Sequence, residues 1–225
     1  MVSYRHFFSI AVFVLWHTGS IAGDGHRAIG DYSAIPLPDD DWISLFDGKT
    51  LNGWKANENP ETFNVADGAI VVNGQRSHLF YVGDVGDNDF KNFELKLEVM
   101  TFPGSNSGIY FHTQFQEKGF PAIGHEVQVN ISHTDWRRSG SIYGVVHVDT
   151  VPVVDNQWYT QHIIVKGNQV RILIDGKLLL EYNEPKTDAA PHTGRAISSG
   201  TFALQGHDPG SKVLFRNIRV KILPD

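Results

Sequence analysis

The chain has 225 residues, of which 41% are hydrophobic and 12% aromatic, and it carries a formal net charge of -6. This composition is typical of a globular protein and excludes a largely disordered chain. The small negative charge, without a basic patch or an arginine-rich stripe, argues against nucleic acid as a partner.

The first 22 residues have the pattern of an export signal. Arg5 and His6 precede an apolar run at residues 7–16, and Ser-Ile-Ala at residues 20–22 offers a cleavage site. The run is too short to span a membrane, so an N-terminal anchor is the less favoured alternative. Because the chain has no cysteine, neither disulfides nor lipidation of an N-terminal cysteine can occur. We expect an exported protein of the bacterial periplasm or extracellular space, with no membrane span after cleavage.

After residue 22 the sequence predicts a linker at residues 23–40, which includes "AIPLPDDD". One β-domain is predicted to follow at residues 41–225. The segment "KNFELKLEVM" alternates apolar and polar residues, as a half-buried strand requires. Gly167-Asn168 and Asp175-Gly176 each separate two apolar runs, which is typical of two-residue hairpin turns. About a dozen short strand candidates and no sustained 3.6-residue period predict an all-β sandwich of two antiparallel sheets.

Three segments, "SNSGIYFHT", "GHEVQVNISH" and "GTFALQGHD", share a pattern in which apolar residues alternate with polar or aromatic ones. We expect the apolar set to fill the core between the sheets: Ile109, Phe111, Val127, Val129, Phe202 and Leu204. The opposite face would then carry Tyr110, His112, Glu126, Gln128, Gln205 and His207. The plain alternative is the wet face of a sheet, but such faces favour Lys, Glu and Thr. The pattern therefore favours a functional site on this face.

Other polar residues have simpler interpretations. Arg216 shares its alternation with apolar neighbours, so it either is a structural arginine paired with a buried carboxylate, which is the favoured interpretation, or points into the site. His78, His133 and His147 lie near expected loop ends and are interpreted as surface histidines. The acidic segment "GDVGDND" lacks the spacing and closing Glu of a calcium loop, and a solvated turn is favoured.

Several motifs in chain order resemble one family, long called a domain of unknown function and now described as 3-keto-glucoside lyase and 3-keto-2-hydroxy-glucal hydratase, or 3-keto-disaccharide hydrolase. They are "WISLFDGKTLNGW", "NSGIYFH", "GHEVQVNISHTD", "SGSIYG", "VKGNQVRILIDGKLLLEY", "SGTFALQGHDPGS" and "LFRNIRVKILP". The resemblance covers residues 42–224. It implies a concanavalin-like jelly-roll sandwich, in agreement with the strand pattern.

The resemblance also implies a two-step reaction on a 3-keto-glucoside or 3-keto-disaccharide. A separate sugar 3-dehydrogenase oxidises C3, which makes the hydrogen on C2 acidic. A base then removes that proton, the glycosidic oxygen leaves C1, and water adds to the resulting glucal. Such a site needs a general base, a proton donor for the leaving oxygen and a group that stabilises the enolate.

Matching the motifs residue by residue assigns the acid and base roles to Glu126 and His207, without deciding which is the base. The resemblance implies substrate binding by Tyr110, His112, Gln128, Tyr143 and Gln205. His112 stands where many relatives carry Arg, so its role and its effect on substrate preference stay open. Alternatively, His112, Glu126 and His207 could gather a divalent cation, and the metal requirement stays open too.

Two rival functions come from other classes. A conventional jelly-roll glycoside hydrolase needs two carboxylates about 5–9.5 Å apart across the scissile bond. The candidate face offers only Glu126 as a strong carboxylate, with Asp208 as a second candidate. A non-catalytic carbohydrate-binding module would instead use exposed aromatic platforms, for which Tyr110, Trp136 and Trp158 are the candidates.

Overall fold

The structure is a computed structural model that describes residues 41–185 and 196–225. The expected signal at residues 1–22 and the expected linker at residues 23–40 lie outside the described residues. The strands are β1 (Ile43–Ser44), β2 (Trp54–Ala56), β3 (Phe63–Ala66), β4 (Ala69–Val72), β5 (Ser77–Tyr81), β6 (Phe93–Thr101), β7 (Asn106–Thr113), β8 (His125–Asn130), β9 (Tyr159–Lys166), β10 (Gln169–Ile174), β11 (Lys177–Asn183), β12 (Thr201–Gly206) and β13 (Val213–Ile222).

The strands form two antiparallel sheets, which confirms the predicted all-β sandwich. One sheet has the order β11-β10-β9-β6-β13-β4-β3, with β1 paired to β13, and the other has the order β2-β5-β12-β7-β8. Short 3₁₀ turns occur at Pro60–Thr62 and Val85–Asn88. No helix within the described residues is long and apolar enough to cross a membrane.

The alternation of apolar residues determines which side chains enter the core. In β6 every second residue from Phe93 to Thr101 is buried, and the intervening residues are partly exposed. On the other sheet, all six predicted core residues between Ile109 and Leu204 are at most 1% exposed. Burying large apolar side chains of this kind stabilises the fold by about 1.5–3 kcal/mol each. The prediction of the core side of β7, β8 and β12 is therefore confirmed.

The two predicted hairpin turns are also present. Gly167 and Asn168 join β9 to β10, and Asp175 and Gly176 join β10 to β11. Asp175 has a φ of 48° and Gly176 a φ of 75°. This left-handed backbone is the one that type I′ hairpins require, and it explains the Asp-Gly pair.

Two β-bulges, which the sequence pattern does not predict, change the alternation of inward and outward side chains. His112 in β7 has a φ of 54° and Asn217 in β13 a φ of 51°, and the strand register shifts beside each of them. The bulge at Asn217 shifts the alternation, so that Ile218 is buried.

Before this bulge Arg216 alternates with the buried Phe215 and faces outward, and its Nε donates to Glu98 Oε2 at 2.6 Å. Its guanidinium also lies 3.9 Å from the centre of the Trp158 ring. Arg216 is thus paired with a carboxylate, as the structural interpretation expects, but Glu98 is partly exposed and not buried.

Four of the five strands of the smaller sheet are buried on both faces, because β5, β7, β8 and β12 have no exposed residue. Residues 139–143 extend the sheet along the free edge of β8. In that segment Ser139 N donates to Asn130 O at 2.8 Å, and Tyr143 N donates to Glu126 O at 2.9 Å. The face opposite the core is therefore polar yet shielded from water.

Candidate active site

A cavity of about 380 Å³ lies on the polar face of the five-stranded sheet. This volume is at the lower end of the range for small-molecule sites, about 300–1,000 Å³. Its lining residues are Asn106, Tyr110, Phe120, Glu126, Gln128, Asp135, Tyr143, Gly144, Gln205 and His207. Six of the seven predicted site residues are thus brought together, and His112 is the exception. Sequence reasoning missed Asn106, Phe120, Asp135 and Gly144.

Glu126 is the central carboxylate of the cavity and is 7% exposed. Tyr110 Oη donates to its Oε2 at 2.7 Å, and Gln205 Nε2 donates to its Oε1 at 3.2 Å. Gln205 Nε2 also lies 3.1 Å from Tyr110 Oη. Because each carboxyl oxygen accepts from a different buried donor, these two hydrogen bonds fix the orientation of the Glu126 side chain. A group held in this way is suited to general acid or base chemistry.

Gly108 makes room for the Glu126 side chain on the neighbouring strand. A β-carbon at Gly108 would lie 2.7 Å from Glu126 Cγ and 2.8 Å from Glu126 Cδ. Glycine inside a strand is otherwise unfavourable, and it often marks a close approach by another group. The glycine in the motif "NSGIYFH" is therefore explained by the position of the carboxylate.

The floor of the cavity presents two buried amide oxygens. Gln128 and Gln205 are each 1% exposed, and the Oε1 atoms of both have no hydrogen-bond partner within the described part of the chain. Gln128 Nε2 donates to Asn106 Oδ1, which holds its amide in place. A buried acceptor without a partner costs about 1–3 kcal/mol. Hydrogen-bond donors of a bound ligand could satisfy these oxygens.

His207 reaches the cavity from the end of β12 and is held by its neighbour Asp208. The His207 Nδ1 atom lies 2.7 Å from Asp208 Oδ2, which also accepts from Ser211 Oγ at 2.9 Å. Burial raises the pKa of Asp208, but hydrogen bonds from His207, Ser211 and the Gly210 amide outweigh burial and lower it. The carboxylate therefore stays charged and orients the imidazole, which leaves Nε2 as the remaining ring nitrogen for a ligand.

His112 lies apart from the cavity, so the predicted grouping of His112 with Glu126 and His207 is not formed. Its Nδ1 accepts a hydrogen bond from Ser198 N at 3.2 Å, and its Nε2 lies 3.0 Å from Lys91 O. The bulge at His112 is the physical reason, because it breaks the alternation on which the prediction depended. The described residues contain no cluster of three or more His, Cys, Asp or Glu side chains that could hold a metal.

His78 was interpreted as a surface histidine, and the structure shows that this interpretation is wrong. It is fully buried in β5, opposite Gln205, with its ring 5.4 Å from that of Tyr110 and 5.5 Å from that of Phe120. Burial lowers the pKa of His78 to about 4. The alternation of His78 and Phe80 with the core residue Leu79 was the sequence signal that could have placed it beside the site.

We expect the buried histidines to make the protein sensitive to acid. Burial lowers the pKa of both His78 and His112 to about 4, from an ordinary value of 6.5. Between these two values the unfolded chain binds more protons than the folded chain, so the free energy of unfolding falls as pH drops from 6.5 to 4. Each histidine contributes a loss of about 3 kcal/mol over this window. Urea unfolding at pH 7, 5.5 and 4 measures this fall in the free energy of unfolding.

The matched variants for this measurement are His78→Gln and His112→Gln, separately and combined. The combined variant is less stable at pH 7 but should lose much less stability on acidification. An equal fall for the wild type and the combined variant between pH 6.5 and 4 would assign the acid sensitivity to other groups.

The fold and the cavity together define a jelly-roll β-sandwich protein with a cavity of small-molecule size on the polar face of one sheet. Residues 41–221 match the family described as a 3-keto-alpha-glucoside-1,2-lyase-like domain, and the chain belongs to this family. A 3-keto-disaccharide hydrolase of Bacteroides thetaiotaomicron is 29% identical, over 86% of this chain and 82% of the relative. The family therefore supports a glycoside-processing hydrolase.

Solved structures agree on the fold. A protein of Parabacteroides distasonis described as a candidate glycosyl hydrolase has 25% identity and a TM-score of 0.68, and the match covers 84% of this chain and 98% of that one. Carbohydrate binding module CBM66 from Bacillus subtilis has 14% identity and a TM-score of 0.54, over 75% of this chain and 95% of the module. The second likeness concerns the fold alone.

The aromatic platform expected of a binding module is not formed by the three residues that were its candidates. Tyr110 is 1% exposed and donates its hydroxyl hydrogen to Glu126. Trp158 is partly buried on the other sheet, beneath Arg216. Trp136 alone of the three is exposed, at 52%. The cavity, with its oriented carboxylate, is the better candidate for function.

Proposed function

We propose that this protein cleaves 3-keto-glycosides by elimination across C1 and C2 and then hydrates the 3-keto-2-hydroxy-glucal. The observation that carries the proposal is one buried carboxylate, Glu126, oriented by two donors in a cavity that also contains His207. A second cavity carboxylate, Asp135, accepts from Arg137 Nη1 at 3.1 Å with each of its two oxygens. An acid already bound to arginine is a poor partner for the two-carboxylate mechanism of ordinary glycosidases.

In the proposed first step the Glu126 carboxylate takes the proton from C2. The C2–H electron pair forms the C1–C2 double bond, and the bond from C1 to the glycosidic oxygen breaks. His207, held by Asp208, gives its proton to the departing oxygen. Water then adds its oxygen to C1 and a proton returns to C2, which yields the free 3-keto sugar. Each proton transfer of this kind contributes about 10²- to 10⁴-fold to the rate.

The first test compares matched substrates. We expect the purified protein to turn over 3-keto-glucosides and to leave the same glucosides untouched when C3 is not oxidised, because the C2 hydrogen is then not acidic. The assay measures release of the aglycone from both forms. Equal turnover of the two forms would indicate an ordinary glycosidase.

Deuterated water makes the test specific for the mechanism. Elimination followed by hydration places a solvent deuteron on C2 of the product, whereas direct hydrolysis leaves the original hydrogen there. Free 3-keto-glucose kept in the same solvent without protein measures the spontaneous exchange. Product with no more deuterium at C2 than this control would contradict the elimination route.

The proposed substrate must be oxidised at C3 before it reaches this site. We therefore propose that the protein acts after a sugar 3-dehydrogenase. We also propose that it does so after export, in the periplasm or outside the cell, in keeping with the leader-like pattern at the start of the sequence.

A further inference from the structure

The most exposed aromatic side chains in the described part of the chain gather at the mouth of the cavity. Phe120 and Tyr143 are 45% and 40% exposed and belong to its lining. Trp136, at 52%, lies beyond Tyr143, and Arg137 contacts the rings of both. Exposed aromatic rings beside a binding cavity are typical of surfaces that contact an apolar ligand.

The ring of Tyr143 is held in place by an arginine. The Arg137 guanidinium lies 4.7 Å from the centre of this ring and 5.2 Å from that of Trp136. Arg137 is itself fixed by Asp135, and Arg138 Nη1 donates to the backbone oxygen of Asp135 at 2.6 Å. Cation–π contacts of this kind favour a fixed position of the ring. This part of the mouth is therefore ordered before a ligand arrives.

Phe120 is held in the same way from a different loop. The Arg76 guanidinium lies 5.2 Å from the centre of its ring, and Arg76 Nε donates to Glu58 Oε1 at 2.9 Å. The Gln116 side chain closes this loop, because its Nε2 donates to Phe120 O and its Oε1 accepts from Ala122 N, both at 2.8 Å. Two loops thus present fixed rings to one cavity.

We infer that this aromatic mouth is a subsite for the leaving group and that it takes a planar, aromatic aglycone. The inference rests on the proposed function. Sugar hydroxyls need polar partners, and the floor supplies them through Gln128 and Gln205. At the mouth the carboxylate of Asp135 is already paired with Arg137, so the exposed rings of Phe120 and Tyr143 are the surface that remains for contact with the leaving group. A flat aromatic group can pack against Phe120 and Tyr143, and aromatic pairs are more favourable than their buried area alone would give.

The test compares phenyl and methyl 3-keto-glucosides of the same anomeric configuration. Phenol leaves more readily than methanol, so the informative quantity is how each variant changes the phenyl-to-methyl ratio of kcat/KM relative to the wild type. We expect Phe120→Ala and Tyr143→Ala each to lower this ratio about tenfold, as the loss of one stacking contact predicts. Tyr143→Phe keeps the ring and should keep the ratio. Leu178→Ala, at a 58% exposed position on β11 of the other sheet, is the surface control.

The possible outcomes distinguish a failure of the inferred subsite from a failure of the proposed function. If the phenyl and methyl substrates lose activity equally, the rings are only structural and the subsite is overturned while the reaction stands. If a 3-keto-disaccharide loses as much activity as the phenyl substrate, the mouth binds a sugar equally well and the inferred preference for an aromatic aglycone is overturned. If the wild type turns over none of these substrates, both the proposed function and the subsite fail.

Discussion

Replacing Glu126 with Gln should lower the turnover of a 3-keto-glucoside by about 10²- to 10⁴-fold, because the variant has no carboxylate to take the C2 proton. The size of the side chain is kept, so substrate binding should change much less than kcat. The measurement is steady-state turnover of one 3-keto-glucoside by both proteins.

The structure indicates that this variant will fold. A Gln at this position can accept from Tyr110 Oη with its oxygen and turn its amide nitrogen toward Gln205. Gln205 can then rotate its own amide so that its oxygen, which is without a partner in the described structure, accepts that hydrogen bond. We therefore expect the melting temperature to stay within a few degrees of the wild-type value.

Two further variants serve as a surface control and as a test of the proposed proton donor. Glu61→Gln alters an exposed acid in the short turn before β3 and should leave both turnover and melting unchanged. His207→Ala should also lose activity, because the departing oxygen then lacks its proton donor. A folded Glu126→Gln protein with near-full activity would show that the polar face carries no essential base.

The alternation of residues in the sequence was sufficient to predict the central part of the site. Because side chains in a strand point alternately to opposite faces, the buried Val127 and Val129 oblige Glu126 and Gln128 to face the other way. The same reasoning placed Tyr110 and Gln205 on that face, and the hydrogen bonds among Tyr110, Glu126 and Gln205 confirm it.

The rest of the site depends on features that alternation does not encode. The bulge at His112 needs a φ of 54° in a residue other than glycine, and no local signal in the sequence announces it. His78 was mistaken for a surface residue because the loop that carries Phe120 covers it, and that contact joins segments about 40 residues apart. Loops are positioned by such distant contacts, so Phe120 and Asp135 could not be assigned to the cavity in advance.

Gly108→Ala should lower activity about 10²-fold although residue 108 carries no catalytic group. Gly108 is not in the left-handed region, so alanine suits the backbone, but its β-carbon would lie 2.7 Å from Glu126 Cγ. Real β-carbons do not approach other atoms this closely, so the Glu126 side chain must move. Displacing a catalytic group by about 1 Å is enough to cost 10²-fold in rate. Turnover of a 3-keto-glucoside by the purified variant measures the effect.

A double-mutant cycle separates this displacement from simple loss of stability. If Gly108 acts only through Glu126, the Gly108→Ala/Glu126→Gln protein should be no slower than Glu126→Gln alone. Val129→Ala removes buried volume on the core face of the same strand pair and should cost about 2 kcal/mol of stability while leaving Glu126 in place. It should therefore stay active well below its melting temperature. If the losses of turnover caused by Gly108→Ala and Glu126→Gln multiply in the double variant, Gly108 affects activity in some way other than making room for the Glu126 carboxylate.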